Sequence, residues 1–407
     1  MKVSQKLSVN EVYNIIQNNI LSLENEIIDL KDSFKRIPSK KIYAKIDNPP
    51  FDKSAMDGYG YYDNGNDKFE ILEDIIFAGD CKSDINVPRN SCVKIMTGAS
   101  IPKFVNKVSR FEAVKIIEDG EKNYIRIEEK EKSNNIIEKG SDLKANDLLM
   151  DIKPLEAEDI SVLASGGYSK IEVKKTPKIA IISTGNELID ISKELEFGKI
   201  YDSNSYLLSN KLKNMNIDYN FYGIIKDDYD ILKSAISKAL EECDIIIVSG
   251  GISFGDMDYS EKVFDDLGIK KLCHGVLMKP GKPFYFGIKE INIKENRNKA
   301  VFGVPGNPFA VLVSFENFIK PYIYNSMGYK YSNIFFRMPL FETYSRKKSN
   351  LEEYMPADFI HNENSSFVKL LSYKGSFCLP RNIKALMKIN IGINEIKANE
   401  NVEVKFI

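Results

Sequence analysis

The run DIIIVSGGISFGDMD, residues 244–258, begins as a strand and ends as a polar loop. Ile245 to Val248 are uninterrupted apolar residues, the texture of a strand buried on both faces of a parallel sheet. Three glycines, two serines and two aspartates follow at once. A buried strand that empties into backbone donors and hard oxygens is expected to stop where a charged ligand begins.

The same texture repeats on either side. Apolar runs at 179–182, 219–225 and 300–304 alternate with helical periodicity at 206–213, 229–241 and 259–267. Such alternation builds a mostly parallel sheet covered on both sides. The sheet is expected to extend through 275–278 and 284–288 and to close with a helix from 308 to about 325, capped by Asn307 with Pro308 in its first turn.

In open α/β sheets ligands bind beyond the carboxyl ends of the strands. The segments placed there are STGNEL (183–188), KIYDSN (199–204), KDD (226–228), SGGISFGDMD (249–258), KPGKP (279–283) and PGNP (305–308). Glycine lets the backbone approach a ligand and present its N–H groups, and successive N–H groups cradle anions. Lys279 and Lys282 add cations. Glu187, Asp202, Asp227, Asp256 and Asp258 supply hard oxygens suited to Mg2+. Any one such loop also reads as an ordinary α/β turn. Their convergence on one rim is what predicts a pocket for a phosphate-bearing anion.

Other chemistries have little material. GVLMKPGKP (275–283) has one residue too many for a P-loop and Pro283 where a magnesium-binding hydroxyl belongs, and no Gly-x-Gly-x-x-Gly follows a strand. With only His274 and His361, a multi-histidine metal centre or a Ser-His-Asp triad is not expected. Cys273 and His274, adjacent on a strand, point to opposite faces and read as structure. The five cysteines are scattered without a Cys-x-x-Cys pair, as reduced structural thiols. A formal charge of -1 offers no field for nucleic acid or an anionic membrane. No apolar run nears the ~20 residues of a span, and the first residues lack a signal peptide's apolar block. A cytoplasmic chain is expected.

Outside the α/β segment, apolar residues from Val9 to Leu23 recur at three- and four-residue spacing, which predicts a helix from 8 to about 31 capped by Ser8 or Asn10. Residues 48–140 hold short β-like pieces such as 91–96 and 124–127 between turns. Residues 154–167 read as a helix leading to a strand at 170–173. The last residues return to short strands with turns at 362–364 and 374–375. The expected domains are a linker (1–47 and 141–176, with the N-terminal helix), an inserted β-domain (48–140), an α/β domain (177–328) and a C-terminal β-domain (329–407).

PFDKSAMDGY (50–59), IMTGA (95–99), STGNEL, YDSN (201–204), SGGISFGDMD, MKPGKP (278–283) and VPGNP (304–308) occur in this order. With them the chain resembles the molybdopterin molybdenumtransferases, the family of bacterial MoeA and the gephyrin E domain. The resemblance implies a multidomain α/β plus β fold: a MoaB-like α/β domain, a small inserted β-domain, a helical linker and a C-terminal β-barrel-like domain. It implies that adenylylated molybdopterin is hydrolysed and molybdate passed to its dithiolene, with Mg2+ assisting and AMP released. It further implies a homodimer whose cleft is shared between the α/β domain of one subunit and the small β-domain of the other, and contact with other proteins of molybdenum cofactor biosynthesis.

Carried over residue by residue, the resemblance gives catalytic roles to Asp57, Thr97, Asp142, Glu187 and Asp256, and metal ligation to Asp227, Asp256 and Asp258. Substrate contacts fall to Thr184, Gly185, Ser203, Gly250, Gly251, Ser253, Gly255, Lys279, Gly281, Lys282, Pro305, Gly306 and Asn307. The chain departs from the family pattern in four places. KFVNKVSRF (103–111) stands for a Gly-Ala-Asp-Ala-Val run, Ile137 for an arginine, Ser141 for a glutamate and Asn186 for an aspartate. Lys107 or Arg110 is the candidate replacement for the missing charge. A binding or scaffold relative without turnover, and a hydrolase of another nucleotide pyrophosphate, are the alternative readings.

Overall fold

The computed structural model describes residues 7–80, 84–252, 259–292, 297–363, 365–373, 375 and 378–407. The chain has a multidomain α/β fold. Its centre is a six-stranded sheet in the order Tyr219–Ile225, Ile179–Thr184, Ile245–Ser249, Arg297–Val304, Tyr285–Asn292, Lys270–His274. The first four strands run parallel. The last two pairings are antiparallel: Tyr285–Asn292 alone runs against the other five, since too few residues separate it from Arg297–Val304 for the long crossover a parallel pair would need.

Period-two alternation splits the central side chains between two covers. Ile179, Ile181, Ile245, Ile247 and Phe302 join one core with the helix Asn204–Asn214 and the 308–326 helical stretch. Ala180, Ile182, Ile246, Val248 and Val301 join the other, against Leu232 and Ile236 of Tyr229–Glu242 and Val263 and Phe264 of Tyr259–Asp266. Ile245 to Val248 are wholly buried, and each such side chain contributes about 2 kcal/mol of transfer free energy.

Three expectations are corrected. The N-terminal helix is only Val9–Gln17, closed at its start by a capping box in which Ser8 Oγ accepts from Glu11 N and Glu11 Oε2 accepts from Ser8 N. Asn18 and Asn19 end it, poor helix formers whose amides fold back on the last turn, with Asn19 Nδ2 donating to Ile15 O at 2.7 Å. The chain then extends into Asn25–Asp29, paired antiparallel with Lys170–Lys174. The helix packs Val9, Val12 and Ile16 into the α/β core, whereas the linker core is built from Leu30, Ile42, Met150, Leu155, Leu163, Ile171 and Val173.

Second, the strand expected at 275–278 is not in the central sheet. Lys270–His274 forms that edge, and Met278–Lys279 crosses to pair with Glu352–His361 of the C-terminal sheet. Third, the closing helix is not regular. Pro308–Ser314 and Lys320–Ser326 are joined by a π-turn, Phe315–Ile319, which carries Glu316 and Asn317 wholly inside.

The C-terminal sheet runs Met278–Lys279, Glu352–His361, Ala385–Ile389, Asn401–Phe406, Phe336–Pro339, with Ser366–Leu370 also on Glu352–His361. Its far edges meet where Leu340 bridges Val368, enclosing Leu340, Ala357, Val368, Met387 and Val404. The small β-unit is a separate six-stranded sheet containing Gly58–Tyr61 and Ser91–Ile95. Among the described residues no helix is long and apolar enough to cross a membrane.

Candidate active site

Parallel register ends the central strands level with one another. Ser183 lies opposite Ser249, Ser249 opposite Val304, and Thr184 opposite Ile225. From Ile179–Thr184 the chain moves to one neighbour, Tyr219–Ile225, and then to the other, Ile245–Ser249. That reversal opens a crevice at the carboxyl ends of the two central strands.

Glycine shapes the crevice floor. Gly250 has φ +94°, and a Cβ there would sit 2.1 Å from the Thr184 carbonyl oxygen. Gly251 has φ +58°, and its Cβ would meet Ser260 Oγ at 2.9 Å and Thr184 Cγ2 at 3.0 Å. Only a residue without a side chain turns this close to the neighbouring strand. Gly250 N donates to Val304 O at 3.0 Å, which ties the turn to the third strand end.

Asn204 spans the rim, its Nδ2 donating to Ser249 Oγ at 2.9 Å and to Gly306 O at 2.8 Å. Asn204 stands in the YDSN stretch with no role expected of it, because its partners Ser249 and Gly306 lie 45 and 102 positions away along the chain. Asp202 Oδ1 accepts from Asn204 N and Ser205 N at 3.0 and 3.2 Å, securing the helix start. Asp202 Oδ2 and Asn204 Oδ1 are buried and have no hydrogen-bond partner among the described residues. Ser203 is exposed beside them.

Asp227 clasps the first loop. Its Oδ1 accepts from Thr184 Oγ1 at 2.7 Å, its Oδ2 from Asn186 N at 3.1 Å, and its own N–H donates to Asn186 Oδ1 at 3.2 Å. Asn186 serves as one half of this reciprocal pair. The exposed Glu187 folds back over Gly185, whose Cβ would stand 2.7 Å from Glu187 Oε2.

Asn307 behaves as the cap expected of it, accepting from Phe309 N and Ala310 N at 3.0 and 3.1 Å and from Tyr373 OH at 2.6 Å. Pro305 is buried and Gly306 exposed, with open space where its Cβ would be. Gly281 is packed against Met278 and Ser314 of the adjoining helix. The Lys282 carbonyl accepts from Val276 N at 2.9 Å, while its exposed side chain has no hydrogen-bond or ion-pair partner among the described residues. Lys279 pairs with Glu353 of the C-terminal sheet at 2.6 Å.

Asp57, Thr97 and Asp142 are not brought to this rim within one chain; they belong to the small β-unit and its junction with the linker. Asp57 Oδ1 accepts from Thr97 N at 2.7 Å and Thr97 Oγ1 at 2.8 Å. The backbone N–H first and then the hydroxyl hold the Asp57 carboxyl below its ordinary range. Asp142 is exposed, its N–H donating to Asn48 O at 3.0 Å. Lys107 and Arg110 do not stand in as free charges: Lys107 pairs with Asp63 at 3.2 Å and Arg110 with Glu131 at 2.6 Å.

Ser253, Gly255, Asp256 and Asp258 lie outside the described residues. Among those described, no three histidine, cysteine or acidic side chains gather as a metal cluster. Cys273 and His274 do point opposite ways. Cys273 is buried, its thiol pushed up to about 12 by that burial. His274 Nδ1 lies 3.1 Å from Glu261 Oε2 and Nε2 3.1 Å from Ile252 O.

Residues 7–167 match the family model for the MoeA N-terminal region (domain I and II), and residues 180–325 that for a probable molybdopterin binding domain. The molybdopterin molybdenumtransferase of Staphylococcus epidermidis is 32% identical over 333 residues, 80% of this chain and 77% of that protein. That of Synechocystis sp. is 32% identical over 323 residues, 77% and 79% of the two chains. Two crystal structures of the molybdopterin biosynthesis MoeA protein from Pyrococcus horikoshii share the fold, with TM-scores of 0.80 and 0.77 at 24% and 25% identity, over 99% of this chain and 99% or more of theirs. The chain is a member of the molybdopterin molybdenumtransferase family.

Proposed function

We propose that this enzyme inserts molybdate into adenylylated molybdopterin in molybdenum cofactor biosynthesis and releases AMP, with Mg2+ bound at the rim. The observation that carries the reading is the switch-point crevice, where Gly250 and Gly251 turn against Thr184 and Asn204 ties two strand ends together. Backbone N–H groups at such a turn cradle phosphoryl oxygens. The open ammonium of Lys282 neutralises anionic charge on the substrate.

The residues fit a hard cation. Among the described residues Asp202 Oδ2 and Asn204 Oδ1 are buried oxygens without a hydrogen-bond partner, and oxygen is the donor Mg2+ takes. With Asp256 and Asp258 they would hold the ion, which when bound polarises the phosphoryl oxygens. Asp227, which also fixes Thr184 and Asn186, is a further carboxylate that would serve the ion. Asp57 and Thr97, tied to each other away from the rim, suit a homodimer in which they face the crevice of the partner. Asp57 is ionised throughout the physiological range, so it acts there as a hydrogen-bond acceptor or base.

Purified protein supplied with adenylylated molybdopterin, molybdate and Mg2+ is expected to release AMP and to yield a cofactor that activates an apo-molybdoenzyme. Retention of the nucleotide without AMP release would instead identify a binding relative.

A further inference from the structure

The Lys279 side chain is held from outside the α/β unit. Met278–Lys279 pairs parallel with Glu352–His361, Met278 opposite Glu352 and Lys279 opposite Glu353, and Glu352 N donates to Leu277 O at 3.0 Å. In that register Lys279 Nζ lies 2.6 Å from Glu353 Oε1. The Glu353 side chain is 3% exposed, and its other oxygen accepts from Arg346 Nη1 at 3.1 Å and Tyr344 OH at 3.0 Å. Arg346 also donates to the carbonyls of Ile393, Leu351 and Asn390 at 2.7, 3.1 and 2.7 Å.

Two features separate Lys279 from the rest of this cluster. Arg346 already matches the charge of Glu353 within the C-terminal unit, so the buried pair is complete without the lysine. Lys279 is 64% exposed and spends one of its ammonium donors on Glu353, leaving two for a ligand. The trio of Lys279, Glu353 and Arg346 carries one surplus positive charge. Burial pushes the Glu353 carboxyl up, but Lys279 and Arg346 outweigh it and hold it below the ordinary range, so the anchor is ionised at neutral pH.

We propose that Glu353 is a positioning residue for Lys279: from the C-terminal sheet it fixes the ammonium on the 279–283 loop as a ready-placed donor to an anionic oxygen of the substrate. The inference rests on the function proposed above. A loose lysine has to be ordered when the ligand binds, and pre-ordering removes that cost from binding.

The test is a double-mutant cycle on KM for molybdate with wild type, E353Q, K279A and the double variant. E353Q is expected to raise KM about five- to tenfold with kcat within about twofold, the size of the ordering cost of one lysine side chain. In the K279A background E353Q is expected to add nothing to KM, while lowering Tm in both backgrounds because the buried Arg346 loses its counter-charge. An unchanged KM in E353Q, or KM effects that multiply in the double variant, would overturn the proposal. E353D keeps a counter-charge within the cluster but draws the carboxylate back by one methylene from Lys279, as from Arg346. It is expected to raise KM too, and an unchanged value overturns the proposal even if E353Q fails to fold. The same cycle on calorimetric binding of inorganic molybdate needs no turnover. A wild type that binds molybdate and releases no AMP therefore counts against the function, and equal binding by E353Q counts against the positioning.

Discussion

At the scale of single residues, the two glycines of the rim make opposite demands. Gly250 has a left-handed φ and a neighbouring carbonyl where its Cβ would be, so Gly250→Ala must distort the turn. The expected cost is at least about 2 kcal/mol in denaturant unfolding, together with loss of ligand binding. Gly306 has open space at the same point, so Gly306→Ala is expected to stay within about 0.5 kcal/mol of wild type. Any loss of affinity in Gly306→Ala then reports a contact with the ligand. Equal stability of the two variants would contradict the account of the floor. Both glycines were legible as rim residues from their place behind apolar runs, but the difference between them was not, because it depends on the distance to Thr184 across the sheet.

At the scale of elements, the π-turn in the closing helix creates a charge cluster that no periodicity announces. Glu316, wholly buried, is met by Lys211 at 2.7 Å, Lys320 at 3.1 Å and Lys405 at 3.8 Å. Lys405 also donates to Asn333 Oδ1 at 2.7 Å and to the Glu316 carbonyl. Three ammonium groups share one carboxylate, and burial first of all, with the two lysine neighbours, lowers Lys405 to about 7 from its ordinary value of 10.5. The folded chain therefore binds fewer protons than the unfolded chain between those values, and stability rises with pH across that window. Wild type is expected to gain about 1 kcal/mol per pH unit over Lys405→Met from about pH 7 to pH 9. Parallel denaturation curves for the two proteins would refute this. The N-terminal helix is another case: its apolar spacing is formally continuous to Leu23, yet it ends at Gln17 because Asn18 and Asn19 turn the chain into a strand that Lys170–Lys174 can pair.

At the scale of the molecule, the candidate groups fall in two places: the strand-end crevice, and the Asp57–Thr97 pair of the small β-unit. The proposed homodimer would join them in a cleft shared across its two-fold axis, as in isologous dimers. Asp57→Ala and Lys282→Ala chains, each inactive alone, are expected to regain about a quarter of wild-type activity when co-expressed, since half the dimers are mixed and each mixed dimer keeps one complete cleft. Activity that stays at the level of the separate variants would place both halves of the site in one chain. The C-terminal unit, in contrast, is bonded directly to the α/β unit, through Met278–Lys279, the contact of Lys405 with Glu316 and the Tyr373–Asn307 bond. Removing residues 329–407 is therefore expected to strip Lys279 of its anchor and expose the Glu316 cluster.

By itself the sequence determined the α/β core and the rim, since an uninterrupted apolar run is buried on both faces in any register and the loops behind such runs fall at the same sheet edge. It also determined the Asn307 cap, a bond between near neighbours in the chain. Only the tertiary structure decided the partners of those loops: Asp227 bound to Thr184, Asn204 bridging to Gly306, Met278–Lys279 leaving its own sheet, and Glu353 beneath Lys279. Those contacts join residues tens of positions apart, where spacing along the chain carries no record of which groups will meet.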